Sequence, residues 1–333
     1  MQKLLIWNMT GHSMNKPKAV FLDAYTLDPG DNDLSSLSAL CELRCYDRTP
    51  ADLLIERSRE AEILIVNKCR VDAASISALP DLKFILVAAT GYNNIDLHAA
   101  SQRGIPVSNV KGYSTPSVTQ HVFAMLLSYL HESGLYYNVV RQKQWSSKDD
   151  FSYWHRPIHE LAGLKMGIIG FGQIGRAVGK LAHAFGMQLL VADRPSYTDR
   201  LSIAQYLSLE NLISEADIIS LHAPLTDETH HIINRQSLRN MKTDAILINT
   251  ARGGLIDEKA LHEALSNNII QAALLDVLDQ EPPPKDHILL DLQNCYITPH
   301  QAWASLQSRK RLLALMVDII ENYKKGKIVN QVN

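Results

Sequence analysis

Met166-Gly-Ile-Ile-Gly170-Phe-Gly172-Gln-Ile-Gly175-Arg176 is a short apolar run that breaks into three glycines at G-x-G-x-x-G spacing, and Asp193 follows eighteen positions after Gly175. The spacing has a mechanical meaning: Gly170 permits a tight strand-to-helix turn, Gly172 lets backbone approach a pyrophosphate, and Gly175 lets the helix sit close on the sheet. Residues 165–169 read as the strand before the turn, 173–185 as the helix after it, and 188–192 as the next strand, which delivers Asp193. A dinucleotide fits this pattern. Its phosphates would lie at the helix N-terminus, beside Gln173 and Ile174, where unpaired N–H groups and the helix dipole favour negative charge. Asp193 would accept from the adenosine ribose hydroxyls and repel a 2′-phosphate, so the stretch predicts NAD rather than NADP. Arg194 is the neighbour that would either pair with Asp193 or attract a 2′-phosphate.

The 333 residues allow two ordinary domains, and 46% hydrophobic content supplies ample core. Thirty-three Lys and Arg against thirty-five Asp and Glu give a net charge of -2, without the basic runs that engage nucleic acid or an anionic membrane. Cys41, Cys45, Cys69 and Cys295 form no C-x-x-C pair, so neither a metal site nor a disulfide framework is expected. Residues 4–7 are too short for a signal-peptide core, and no apolar stretch approaches a membrane span, so a cytoplasmic protein is expected. Residues 1–13 differ in character from the rest of the chain and read as an extension or a misassigned start before Met14.

Strands and helices alternate along nearly the whole chain, which predicts an α/β protein with two doubly wound parallel sheets. In the first, 18–23, 43–47, 63–66, 84–88 and 106–108 read as strands, with helices near 34–40, 51–57, 73–79 and 97–103. In the second, 166–169, 189–192, 218–221, 246–249, 272–275 and 296–298 supply six strands of a Rossmann sheet. Between them, 116–141 reads as one long apolar helix that could span a domain junction, and 305–323 as a last helix returning to the first domain. The expected organisation is a flavodoxin-like substrate domain over 14–110, a Rossmann NAD domain over 111–299 and a return over 300–326.

A dinucleotide domain alone says nothing of the reaction. Three motifs supply it: Asn249-Thr250-Ala251-Arg252-Gly253-Gly254, Asp276-Val277-Leu278-Asp279-Gln280-Glu281-Pro282 and Thr298-Pro299-His300. Each begins at the C-terminal end of an expected parallel strand, the edge where doubly wound sheets bind ligands. Arg252 is a fixed cation whose planar fork suits a carboxylate, an imidazole such as that of His300 can exchange a proton near neutrality, and Glu281 could hold the ring in one tautomer. Together they form a set that can reduce a ketone.

With these motifs in place the chain resembles the D-isomer-specific 2-hydroxyacid dehydrogenase family, and within it the glycerate dehydrogenase/hydroxypyruvate reductase branch, from about Lys18 to about Tyr323. The resemblance implies NAD-dependent, reversible reduction of a small 2-oxo acid, with Arg252, Glu281 and His300 catalytic. It implies that Val87-Ala-Ala-Thr90-Gly91-Tyr-Asn93-Asn94-Ile-Asp96 binds the substrate carboxylate through the Thr90 and Gly91 amides, together with Arg252. Leu221-His222-Ala223-Pro224-Leu-Thr226, with Thr229, resembles the wall beneath the adenosine; the resemblance implies that Thr250, Ala251, Arg252 and His300 line the cofactor, and Asp276 resembles the carboxylate that holds the nicotinamide amide. Tyr113-Ser-Thr-Pro-Ser-Val-Thr-Gln-His121 and His300-Gln-Ala-Trp303-Ala-Ser305 carry the likeness to the glycerate branch, while Gln120 stands where many relatives have Glu and 282–284 is a richer proline run than usual. The similar enzymes are homodimers in which the helix after residue 115 wraps a second subunit, and a tryptophan like Trp145 reaches the neighbour's substrate. The same resemblance leaves open an NAD-sensing corepressor-like protein, and phosphoglycerate or D-lactate dehydrogenases. His121, His131, His222, His230 and His231 read as ordinary helix or loop histidines.

Overall fold

Ile63-Leu-Ile-Val66 and Phe84-Ile-Leu-Val87 are apolar runs with no polar interruption, and every residue in both is buried. Runs of that kind suit the middle of a parallel sheet covered on both faces. The structure, a computed structural model, describes residues 16–194 and 198–333. Residues 1–13, read above as an extension, lie outside them. The chain divides into two compact units, one comprising Met1–Tyr113 with Arg309–Asn333 and the other Ser114–Ser308. No helix among the described residues is long and apolar enough to cross a membrane.

The first unit is built on β1 (Lys18–Phe21), β2 (Glu42–Cys45), β3 (Ile63–Val66), β4 (Phe84–Val87) and β5 (Val107–Asn109), all parallel in the order β2-β1-β3-β4-β5. This is the flavodoxin-like order, with its reversal between β1 and β3. Asp72 and Asp96 start the helices Ala73–Ser77 and Leu97–Gln102 by accepting from the amides of Ser75 and Ala99, each at 2.9 Å. Side-chain caps of this kind satisfy donors that the first turn leaves unpaired. The helix Leu306–Lys324 reaches this unit, where Tyr323 stacks on Phe84 with ring centroids 4.4 Å apart. The tail after it pairs with β5 through Val332 and Asn330.

The second unit holds β6 (Lys165–Ile169), β7 (Gln188–Ala192), β8 (Ala204–Leu207), β9 (Ile218–Leu221), β10 (Ile246–Asn249), β11 (Ala272–Leu275) and β12 (Cys295–Ile297). They form one parallel sheet in the order β12-β11-β10-β9-β6-β7-β8, reversing between β6 and β9. The sheet therefore has seven strands where the sequence suggests six. β8 was not expected: it is a short edge strand, none of whose residues is buried, so it lacks an apolar run. A second difference concerns 116–141, which is two helices, Thr115–His131 and Ser133–Arg141, divided at Glu132 with φ +46°. The first packs Val122, Phe123, Leu126 and Tyr129 into the core with Met166, Ile168 and Val191, so it covers a face of this sheet.

Candidate active site

The glycine turn has the geometry its spacing implies. Gly170 sits at φ +97°, and a Cβ there would lie 2.3 Å from the Ala223 nitrogen; one on Gly175 would lie 2.1 Å from the Gly170 carbonyl oxygen. Neither position tolerates a side chain. Gly172 faces open space, with nothing within 4 Å of where its Cβ would be. It leads directly into the helix Gln173–Ala184, which presents its N-terminus there. Thr250 contributes a buried hydroxyl without a hydrogen-bond partner. An open backbone cradle at a helix N-terminus and an orphaned hydroxyl fit a dinucleotide.

Asp193 follows β7 as expected, but its ion pair is with Arg200 rather than the adjacent Arg194. The wall after β9 is rigid. Thr229 is fully buried, and its hydroxyl donates to the Pro224 carbonyl at 2.6 Å and accepts from the Thr226 amide at 2.8 Å. Burial pushes the His222 imidazole down to about 3, so the ring is neutral at pH 7, 2.9 Å from the Ser220 hydroxyl.

The three motifs proposed for the chemistry all emerge at the C-terminal edge of the sheet, after β10, β11 and β12. His300 and Glu281 meet directly: Nδ1 lies 2.5 Å from Oε2, and Glu281 Oε1 accepts from the Leu278 amide at 2.9 Å. The carboxylate is thus fixed at one oxygen by backbone and turned toward the ring with the other. His300 adopts φ +50°. Its turn is fastened from beneath by Asp276, whose Oδ1 accepts from the Thr298 hydroxyl at 2.6 Å and the Gln301 amide at 2.9 Å, and whose Oδ2 accepts from the Ala302 amide at 2.8 Å. Burial alone would raise the pKa of this carboxyl. The hydrogen bonds from His121, Thr298 and the two amides outweigh it and hold the group below its ordinary value.

Arg252 lies on the turn after β10. The Asn249 side chain shapes that turn by accepting from the Ala251 amide at 3.0 Å and donating to the Arg252 carbonyl at 2.8 Å. The turn touches the Glu281 loop at Gly253, where a Cβ would lie 2.0 Å from the Leu278 carbonyl carbon. Close backbone contact between the two motifs therefore requires glycine at that position.

Sequence reasoning missed two contributors. His121 reads as an ordinary helical histidine, yet its Nε2 lies 3.0 Å from the Thr298 hydroxyl and 3.4 Å from Asp276 Oδ1. Glu258 accepts from the Asp279 amide at 2.9 Å and lies 3.0 Å from His287, clasping both ends of the loop that carries Glu281. In the first unit, Thr90 and Gly91 follow β4; the Thr90 hydroxyl donates to Val110 and its carbonyl accepts from Asn109. Trp145 belongs to the second unit and is 46% exposed.

Residues 123–302 match the family model described as D-isomer specific 2-hydroxyacid dehydrogenase, NAD binding domain. The chain is 42% identical over 322 residues to a hydroxypyruvate reductase of Blautia hydrogenotrophica, covering 95% of this chain and 99% of that one. It is 39% identical over 318 residues to a glycerate dehydrogenase of Methylorubrum extorquens, covering 95% and 98%. Among solved structures it resembles a D-lactate dehydrogenase from Aquifex aeolicus complexed with NAD and lactic acid. That match has a TM-score of 0.78 and 30% identity, over 93% of this chain and 96% of that one.

Proposed function

This chain belongs to the D-isomer-specific 2-hydroxyacid dehydrogenase family, an NAD-dependent oxidoreductase family, and we propose that its substrate is hydroxypyruvate, reduced reversibly to D-glycerate. The observation that carries the chemistry is the 2.5 Å contact between His300 and a Glu281 carboxylate already anchored on the Leu278 amide. NADH, when bound, supplies the hydride. With Glu281 accepting at Nδ1, the His300 ring is held in an orientation that leaves Nε2 to deliver a proton to the ketone oxygen when both ring nitrogens are protonated, or to take one in the oxidative direction when Nε2 is bare. Arg252 stabilises the charge developing on that oxygen and grips the carboxylate. The amides of Thr90 and Gly91 are proposed as further carboxylate donors. Asp276 acts first as the support of the His300 turn, since its two oxygens already accept three hydrogen bonds, and second as the proposed acceptor of the nicotinamide amide.

An NADH-oxidation panel over hydroxypyruvate, glyoxylate, pyruvate and phosphohydroxypyruvate tests the reading. Hydroxypyruvate is expected to give the highest kcat/KM. NADH binding without turnover of any 2-oxo acid would remove the enzymatic reading in favour of a sensor.

The proposal extends to a cytoplasmic homodimer. Helix Ser133–Arg141 and the segment after it expose Leu135, Tyr137, Val140, Trp145, Phe151 and Trp154, with Phe151 92% exposed. Apolar surface of that extent supports an interface, here with a second copy through a two-fold axis. Light scattering is expected to give twice the chain mass of 37.3 kDa, and a monomer at micromolar concentration would reject the dimer. Trp145→Ala is expected to change the ranking of 2-oxo acids more than NADH affinity.

A further inference from the structure

Glu281 is carried by a loop between β11 and β12. Asp279, Gln280 and Glu281 are all exposed, so packing against the core does not place them, and 282–284 are prolines, which have no amide to donate. One oxygen of Glu281 accepts from the Leu278 amide, which makes a pivot about which the other can swing. The direction of that second oxygen therefore depends on the backbone from Asp279 to Glu281. A carboxylate 21 positions earlier ties this backbone down: Glu258 Oε1 accepts from the Asp279 amide at 2.9 Å. Its Oε2 meets Nε2 of His287 at 3.0 Å, where the loop ends. The Leu289 amide donates to Nδ1 of the same ring at 3.4 Å, so a neutral ring carries its hydrogen on Nε2 and donates to Glu258. Both side chains are largely covered, with 17% of Glu258 and 9% of His287 exposed, so water competes little for either bond.

Glu258 can serve as an anchor because its own backbone is fixed. It opens the helix Glu258–Ser266 directly after Asp257, whose side chain caps that helix by accepting from the Lys259 and Ala260 amides at 3.1 Å each. The Asp257 amide donates to the Ile233 carbonyl at 2.8 Å, and Ala260, Leu261, Ala264 and Leu265 seat the helix in the core. The same backbone continues the turn that carries Arg252, six residues before Glu258. One carboxylate thus joins the Arg252 turn to the Glu281 loop. The two segments meet again at Gly254, where a Cβ would lie 3.4 Å from Asp279 Oδ1.

The 2.5 Å separation between His300 Nδ1 and Glu281 Oε2 leaves little slack. A hydrogen bond between nitrogen and oxygen is lost beyond about 3.2 Å, so a loop shift of about 1 Å opens the pair. His300 does not follow such a shift, because its turn is fastened to Asp276 rather than to the loop. The Arg252 turn does not follow either, since the Asn249 side chain holds it at Ala251 and Arg252. Loss of the Glu258 anchor therefore acts on the proton relay and spares the groups proposed to grip substrate and cofactor. We propose that Glu258 is a positioning residue for that relay: by tying Asp279 and His287 to one helix end, it sets the loop on which Glu281 meets His300. The proposal rests on the dehydrogenase reading and adds to it a residue that touches neither substrate nor cofactor.

Steady-state NADH oxidation with hydroxypyruvate separates kcat from KM in variants of the full chain. Glu258→Ala should lower kcat about ten- to a hundredfold, the loss that a misplacement of about 1 Å produces. KM and the NADH dissociation constant should stay within about threefold of wild type, because the binding groups are untouched. An unchanged kcat overturns the proposal, and so does a KM that rises in step with the loss, which would put the damage at the Arg252 turn. Glu258→Gln keeps an acceptor for the Asp279 amide and should recover most of the lost kcat; a Gln variant as slow as the Ala variant overturns the proposal. His287→Leu removes the second tie and should lower kcat less than Glu258→Ala does. The double variant should be no slower than Glu258→Ala alone, as expected of two groups acting through one clasp, whereas losses that multiply overturn the clasp. Where circular dichroism shows Glu258→Ala unfolded, His287→Leu decides, and wild-type kcat in that variant overturns the proposal. Wild type that turns over no 2-oxo acid refutes the dehydrogenase reading itself, whereas turnover that survives Glu258→Ala undiminished refutes only this inference.

Discussion

Replacing Asp276 by Asn tests whether this buried carboxylate builds the His300 turn. Asp276 is 1% exposed and accepts from Thr298, Gln301 and Ala302. Asparagine keeps the shape but loses the charge, and its amide group must face donors on at least one side. A hydrogen bond to a charged group contributes about 1.5–3 kcal/mol, and a buried donor left unsatisfied costs about 1–3 kcal/mol. One lost partner and two weakened ones give an expected destabilisation of about 2–4 kcal/mol. Misplacing the turn by a fraction of an ångström should also lower kcat, by roughly ten- to a hundredfold. The pH dependence has a definite sign. The Asp276 pKa is lowered from 3.8 in the folded chain, so the unfolded chain binds that proton more readily. The stabilisation is complete above about pH 4 and is lost as pH falls through the folded value. Urea unfolding followed by tryptophan fluorescence should therefore show a gap between wild type and variant that is widest near neutrality and narrows below pH 4. A variant within about 0.5 kcal/mol of wild type at pH 7, with unchanged kcat, would refute the reasoning.

His300→Asn should lower kcat by roughly two to four decades and leave the NADH dissociation constant nearly unchanged, because the proton donor is lost and the glycine cradle is not. Glu281→Gln should be milder, since the amide still accepts from Leu278 through its oxygen; rapid-mixing measurement of NADH oxidation separates this from slow product release, and a fully active His300→Asn enzyme would remove His300 from the mechanism. The depressed pKa of His222 makes the opposite end of the site acid-sensitive: the unfolded ring takes a proton below about 6.5 while the folded ring resists it to about 3. Stability should fall through that window by at most about 5 kcal/mol, less because the ring keeps some exposure. His222→Gln should flatten that limb in urea titrations between pH 7 and 4, and an unchanged slope would count against the neutral ring.

Most of what positions the site was legible because it lies at strand ends. Each of the three motifs proposed to carry the chemistry follows a short apolar run, and a parallel sheet delivers all such ends to one edge. Arg252, Glu281 and His300 could thus be assigned to a common edge without their contacts being known. What sequence could not supply was pairing between distant segments. His121 and Thr298 are 177 positions apart, and nothing in a helical apolar pattern distinguishes a histidine that meets Thr298 from one that meets solvent. The division at Glu132 was hidden because neither Pro nor Gly occupies the left-handed position, and helical periodicity continues on both sides. β8 escaped because an edge strand with a half-exposed Tyr206 shows no buried run. That omission matters, since β8 carries the ring beneath Arg200 and so bears on Asp193, the residue to which the glycine-turn pattern assigns cofactor preference.

The two sheets treat their points of reversal differently, which bears on where each unit can hold a ligand. In the second, the reversal between β6 and β9 is open: Gly172 faces free space and the wall from His222 to Pro224 stands beside it. In the first, the reversal between β1 and β3 is filled by the chain itself. Asp23, just past β1, accepts from three successive amides after β3, those of Asn67 at 2.7 Å, Lys68 at 2.5 Å and Cys69 at 2.8 Å. Converging amides of this kind make an anion-binding concavity, and here a resident carboxylate occupies it. Asn94 ties the same turn to the loop beyond β4 by donating to the Cys69 carbonyl at 2.8 Å. Asp23 therefore fills the usual crevice of a flavodoxin-like sheet, and we propose that a substrate anion is met one strand further on. That next strand is β4, whose C-terminal loop carries Thr90 and Gly91; neither amide donates to an acceptor among the described residues. The Asp23 carboxylate that fills one crevice thereby supports the proposal that the first unit receives a carboxylate at the β4 loop.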